Sequence, residues 1–332
     1  MEPMKRTIRH YLPGILVLVA GAAVATAGAA YLGLNAYLLA IVIGVLLTNS
    51  LRMPEAVLPG IRTHKLWLAL GIILLGSSVT LGAILDIGPA VLLLLLATVS
   101  LALISGEVLA SRIDDISETF GSLLASGASI CGVSAVVAVG GAIKAKESRI
   151  AYAAGAVLLV DALSIVGYPL IGSALNLSDV AFGIWAGVSM LSTGPVVAVG
   201  FAYSETSGQW ATIVKLARNA LIGFVALGYA SYYARRRSGE SASIHHLWSN
   251  IPSFLIGFLF LLVLASAGFF SETQLALMDT AVYWLFLIAF VGLGTELQRS
   301  VLADVGIVPA LVILGAMVIA SVFSLTVILL LL

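Results

Sequence analysis

Charge is scarce in this chain of 332 residues. Asp, Glu, Lys and Arg together make up 10% of it, where an ordinary soluble domain carries roughly 25%. That scarcity excludes a solvated globular domain as the bulk of the protein. The acidic and basic residues cancel to a formal net charge of +0, and the one basic run is Arg235, Arg236 and Arg237. Nothing in the charge pattern points to a nucleic-acid partner. A single cysteine, Cys131, excludes an internal disulfide and a multi-cysteine metal site. HExxH, a P-loop, GxGxxG after a strand and paired catalytic carboxylates are all missing. An ATP-driven pump or a membrane protease is therefore poorly supported, no enzymatic role is expected, and no metal or organic cofactor is called for.

What fills the chain is apolar: 61% of residues are hydrophobic and the mean hydropathy is +1.14. A bilayer core about 30 Å thick takes about 20 apolar residues per helix. The expected fold is an all-α integral membrane protein, a single polytopic membrane domain over 1–332 with roughly nine to eleven transmembrane helices. Apolar runs fit for full spans lie near 11–29, 34–49, 66–85, 89–107, 150–171, 209–233, 252–270, 278–296 and 306–330. The first follows a basic start, Lys5, Arg6 and Arg9, is too long for a signal h-region, and reads as a retained span. Two further segments, about 116–144 and 179–204, are apolar on average but interrupted by Gly, Ser and, in the second, Pro195.

Positive charge orients short loops toward the cytoplasm. Lys5, Arg6 and Arg9 place the N-terminus there, and Arg52, Arg62, Lys65 and Arg112 follow at two-span intervals. If both interrupted segments cross, Lys144, Lys146 and Arg149 face outward. If both turn back as re-entrant hairpins, that cluster moves inside while Arg235, Arg236 and Arg237 stay inside. Charge favours nine spans and two hairpins.

Internal similarity agrees. "LLGSSVTLGAILDIGPA" at 74–90 resembles "FVGLGTELQRSVLADVGIVPA" at 290–310, aligning Gly76, Leu81, Asp86, Gly88 and Pro89 with Gly292, Leu297, Asp304, Gly306 and Pro309. "VVAVG" occurs at 136–140 and again at 196–200, once in each interrupted segment. With two hairpins these become inverted repeats, and inverted repeats built around broken helices are characteristic of secondary transporters. Short Val, Ala and Gly strings also recur by chance in such helices.

Non-helical backbone survives at membrane depth only where protein buries it or water lines it. "SGASICG" at 126–132 and "LSTG" at 191–194 are the expected unwound points. Ser134 or Gly132 would cap the helix continuing through Val136, and Pro195 suits a first helical position. Each start would present free N–H groups and about half a positive charge to an anion. The candidate site is Ser129, Cys131, Gly132 and Ser134 from one segment, with Ser192, Thr193 and Gly194 from the other. Close packing through small residues is the competing explanation.

Three charges lie deep in apolar runs: Asp161, Lys215 and Arg218. Each costs about 2.5–3.5 kcal/mol at bilayer depth unless paired or wet. Lys215 and Asn219 share a helix face, with Arg218 adjacent. That face would either attract an anion or neutralise Asp161, which is the expected coupling or counter-charge residue. Glu107, Arg112 and Glu296 lie near helix ends, where long side chains reach the interface. His10, His64, His245 and His246 fall in tails or loops and read as solvated. Cys131 also fits as a small buried apolar residue.

"SICGVSAVVAV" with "IKAKESRIAYA", followed by "VVAVGFAYSETSGQWATIVKLARNALI", resembles the YeiH-like membrane proteins, a family described as sulfate exporters. The resemblance covers most of the chain. It rests residue by residue on Ser129, Ile130, Cys131, Gly132, Ser134, Ala135, Lys144, Lys215 and Arg218. It implies a multi-pass inner-membrane transporter exporting sulfate or a related sulfur-containing anion. The chain departs from the family pattern where members carry His-Asp and then Gln around the second Val-Val-Ala; here Leu191, Ser192 and Pro195 stand. The expectation is thus a secondary transporter of a small anion across the cytoplasmic membrane by alternating access. A passive anion channel or a Na+-coupled organic-anion transporter are the alternatives, and H+ or Na+ coupling is open. The expected partners are the anionic solute and the lipid bilayer, with a homo-oligomer left open.

Overall fold

A computed structural model describes residues 2–50, 53–78, 81–237, 253–298 and 306–331. The described chain is all-helical, with no strand among the described residues. The helices are α1 (Glu2–Leu32), α2 (Ala36–Ser50), α3 (Leu58–Ile61), α4 (His64–Leu75) and α5 (Leu81–Ser111). Next come α6 (Glu118–Ser129), α7 (Val133–Ala142), α8 (Glu147–Ala174), α9 (Asp179–Ser189) and α10 (Thr193–Tyr203). The last five are α11 (Glu205–Asn219), α12 (Ile222–Arg237), α13 (Ser253–Ser266), α14 (Glu272–Glu296) and α15 (Ile307–Leu331).

Seven described helical segments are long and apolar enough to cross a membrane. The runs expected at 34–49 and 252–270 form helices of 15 and 14 residues, shorter than the roughly 20 residues of a perpendicular crossing. The run at 66–85 is broken. α4 stops at Leu75, Gly76–Ser78 form a 3-10 turn, and Ser77 Oγ donates to Leu74 O at 2.7 Å. α5 then bends at Gly88, whose φ of 64° and ψ of −171° are not helical.

The chain forms two compact units, Met1–Asp86 with Ser253–Arg299, and Ile87–Pro252 with Ser300–Leu332. In the first unit glycines let helices touch backbone to backbone. Gly14 of α1 meets Gly60 of α3, and Gly44 of α2 meets Gly294 of α14, at distances that would admit no Cβ. His64, expected in a solvated loop, is instead buried in this unit's core. Its Nε2 lies 3.4 Å from Glu296 Oε1, and Lys65 Nζ reaches the same oxygen at 2.9 Å. The similarity between 74–90 and 290–310 runs through residues 299–305, so Asp304 lies outside the described residues, as do His245 and His246.

In the second unit both interrupted segments are helical hairpins. α7 folds back along α6, with Gly127 packed against Val136 and Gly140 against Leu123. α10 folds back along α9, with the Phe182 and Tyr203 rings stacked 3.9 Å apart. Among the described residues, four helix starts carry a Ser cap followed by an acid: Ser117–Glu118, Ser178–Asp179, Ser204–Glu205 and Ser271–Glu272. Each seryl oxygen takes a backbone N–H of the first turn, while the acid favours the positive helix start. Ser204 thereby ends α10 and starts α11.

α8 aligns the two hairpins. Its Ile150 packs on Gly140 of the first, its Val157 lies against Gly132 at that hairpin's tip, and its Gly172 receives Phe182 and Tyr203 of the second. The hairpins therefore lie end to end along α8 with their tips meeting near its middle. α11 runs beside the second hairpin. Gly183 and Gly187 of α9 sit against Ser207, Ala211 and Val214, and Gly200 of α10 against Gly208. Small residues at these positions bring the backbones close, which fixes where the last turn of α11 points.

Candidate functional site

The tips are the breaks at 130–132 and 190–192. At the first, Gly132 takes φ 57° and ψ −123°, a left-handed conformation that glycine adopts without steric penalty. At the second, Met190 and Ser192 are extended. α10 begins at Thr193, so Pro195 stands at its third position rather than its first. Its missing N–H still belongs to the turn whose amides have no intrahelical partner. The tips touch: Cys131 Sγ lies 3.3 Å from Thr193 Oγ1, and a Cβ on Gly132 would fall on Ser192 Oγ.

Each tip holds one helix C-terminus and one helix N-terminus, and the buried charges sort onto them by sign. Lys215 Nζ donates to Ile130 O at 2.7 Å, to Met190 O at 2.9 Å and to Leu191 O. Arg218 donates from Nε to Ser129 O at 2.8 Å, from Nη1 to Met190 O at 2.6 Å and from Nη2 to Ala128 O at 3.2 Å. The last carbonyls of α6 and α9 are those left without intrahelical donors, and together they carry negative partial charge. Both cations, 0% exposed, thus cap the ends of α6 and α9.

Asp161 works on the opposite pole. It lies fourteen residues after Glu147 and thirteen before Ala174, at the middle of α8, and its Oδ1 accepts from Ser192 N at 3.2 Å. Its carboxylate therefore sits at the positive start of α10. The residue before α7, Gly132, has no side chain with which to cap that helix's start. With Lys215, Arg218 and Asp161 all ionised, one formal positive charge is in excess at the tips.

The remaining candidates fall around this centre. Ser129 is buried, its Oγ donating to Ser126 O at 3.1 Å. Gly194 is buried in the first turn of α10. Asn219 Nδ2 donates to Thr193 Oγ1 at 3.0 Å, while its Oδ1 and Ser192 Oγ are buried with no hydrogen-bond partner among the described residues. Ser134, one residue into α7, has an exposed side chain. The structure thus gathers the candidate residues from both segments and from α8 and α11 around the tips. The sequence reading did not include the carbonyls of Ala128, Ile130, Met190 and Leu191. Their signal was available: a helix ending inside an apolar segment leaves carbonyls that need donors.

Two hairpins meeting tip to tip beside long apolar helices define a multi-span helical membrane protein. Among known proteins the chain matches the family described as Conserved hypothetical protein 698 over residues 13–313, and it belongs to that family, the same one as the YeiH-like proteins it resembles. Several relatives carry the description of UPF0324 membrane protein. A UPF0324 membrane protein of Nitratidesulfovibrio vulgaris is 29% identical over 92% of this chain and 89% of its own length. Another from Bradyrhizobium diazoefficiens is 32% identical over 90% of this chain and 87% of its own length, and one from Corynebacterium glutamicum is 29% identical over 93% and 89%. No solved structure gives a significant match.

Proposed function

We propose that the paired tips are the substrate site of a secondary transporter for a small anion, sulfate or a related sulfur-containing anion, working by alternating access. In this reading the two hairpins are re-entrant and enter from opposite faces as inverted repeats, the remaining helices bring the crossings to nine, and the N-terminus is cytoplasmic. The observation that carries it is the start of α7, preceded by a glycine with no capping side chain, beside the α10 start at the middle of α8, which is about 42 Å long at 1.5 Å per residue. Helix starts of this kind receive anions, and Ser134 and Thr193 bring hydroxyls to the two starts. Lys215 and Arg218 hold the tips together and leave positive charge in excess. Asp161 occupies the α10 start and would yield that place to substrate or to a proton during the cycle.

The test is sulfate flux into proteoliposomes holding the full chain. Saturable flux with counter-transport, abolished by Asp161→Asn, is the expected result. Flux that neither saturates nor exchanges would identify a passive channel, and undiminished flux in Asp161→Asn would remove that residue from the mechanism. One observation favours a Na+-coupled variant: the buried, unpartnered Asn219 Oδ1 is an acceptor of the kind a cation takes, and sodium dependence of the same flux would establish it.

A further inference from the structure

Away from the tips, α5, α12 and the start of α6 enclose a groove of about 650 Å³, within the range of pockets that hold one small ligand. Its inner part is apolar, lined by Leu103, Ile104, Phe224 and Val225. Ile104 and Phe224 are 61% and 65% exposed, so the apolar part is open at the side. Its outer part is polar. Tyr229 Oη donates to Glu107 Oε1 at 2.5 Å, Tyr232 Oη donates to Glu118 Oε1 at 2.8 Å, and Arg236 pairs with the same Glu118 oxygen.

The order of these groups is that of a membrane leaflet. Ser111 and Arg236 end two candidate spans. Phe224 lies twelve residues before Arg236, about 18 Å deeper at 1.5 Å per residue, roughly half the bilayer core. Glu107 lies four residues inside Ser111, about 6 Å from that end. The two carboxylates at the groove's polar end are not matched by two cations. Glu118 has Arg236, whereas Glu107 has only the Tyr229 hydroxyl among the described residues. Glu107 thus offers a carboxylate to a bound cation near the end of its span, and the groove's tyrosines suit such a charge: Arg236 already lies 5.2 Å over the Tyr232 ring.

We propose that this groove binds a lipophilic monovalent cation: an apolar body seated on Phe224, Ile104 and Leu103, with one ammonium or phosphonium centre held at Glu107 beside Tyr229. A lipid bearing an outermost ammonium fits less well, because its phosphate would fall at Glu107. An anionic amphiphile would meet two carboxylates. This site is separate from the tips, and it stands or falls independently of anion transport.

Tetraphenylphosphonium and tetraphenylborate, alike in shape and opposite in charge, separate charge from apolar partition. Equilibrium binding is measured to the full chain in nanodiscs of zwitterionic lipid, with empty nanodiscs subtracted. The phosphonium is expected to bind saturably, the borate not to displace it, and Glu107→Gln to weaken it at least tenfold while Glu118→Gln changes it less. Gly228 lines the groove, and a Cβ there meets open space, so Gly228→Phe directs a ring into the groove and should remove binding at unchanged Tm. Undiminished binding in Glu107→Gln or Gly228→Phe, effective displacement by the borate, or no saturable binding overturns the proposal. A dimer in the wild type that Gly228→Phe dissociates would also overturn it, assigning the groove to a second copy of the chain.

Discussion

Lys215→Met tests the capping role of a buried cation, because methionine keeps most of the side chain's length and removes its charge and its donors. Lys215 Nζ serves three carbonyls, those of Ile130, Met190 and Leu191. Met190 O keeps Arg218 Nη1 at 2.6 Å, so two carbonyls, Ile130 O and Leu191 O, lose this donor. A buried polar group deprived of its partner costs about 1–3 kcal/mol, giving about 2–6 kcal/mol for two. Relief of the lysine's own desolvation offsets part of this, and a net loss of about 2–4 kcal/mol is expected. At the lower end of the scaling for large domains, about 2 °C per kcal/mol, the Tm falls by about 4–8 °C.

The assay is thermal unfolding of the detergent-purified chain, with Lys144→Met as control, since Lys144 is exposed in the loop after α7 and its loss should leave Tm unchanged. A second reading of the same samples adds sulfate. Where Lys215 is a cap, the variant unfolds earlier whether or not sulfate is present. An unchanged or raised Tm for Lys215→Met would refute the capping argument. Loss of sulfate-induced stabilisation alone, with the basal Tm intact, would return Lys215 to direct contact with substrate.

Gly132→Ala places a Cβ on a left-handed backbone and against Ser192 Oγ and Val157; strain of about 1–3 kcal/mol is expected, seen as a lower Tm and, on the proposed reading, as lost sulfate flux. Ser204→Ala removes the cap that donates no proton but accepts Ser207 N at 3.0 Å, and should cost about 1 kcal/mol, with Ser204→Asp restoring the wild-type Tm in the same measurement.

Much of this architecture is legible in the sequence where the cause is local. The two interrupted segments announce themselves because Gly and Ser are dense where Leu would be expected; the first break falls inside the expected stretch 126–132, while the second begins one residue before 191–194, at Met190, and Thr193 and Gly194 are already helical. The four Ser-acid starts are equally local, yet they pass unnoticed in a reading guided by hydropathy, since a capping pair changes the average of a 20-residue window very little. The same averaging hides the turn at Gly76–Ser78 within the run at 66–85. His64 is illegible for a different reason. Its partner Glu296 stands on another helix 232 positions later, and no pattern around either residue shows that they meet.

The three deep charges divide along the same line. Sequence establishes that Asp161, Lys215 and Arg218 need partners, and their simplest pairing is with one another. The fold supplies something sequence does not display: four helix termini gathered at one point, two of each sign. A helix end carries about half a charge spread over groups already fixed in place, so a cation among several aligned carbonyls gains both charge complementarity and hydrogen bonds, with no second flexible side chain to immobilise. That is why Lys215 and Arg218 settle on the ends of α6 and α9 while Asp161 settles on the start of α10. The sorting uses three of the four termini. The fourth, the start of α7, follows Gly132, which has no side chain to cap it, and on the proposed reading it is there that the positive pole left by this arrangement meets the anion.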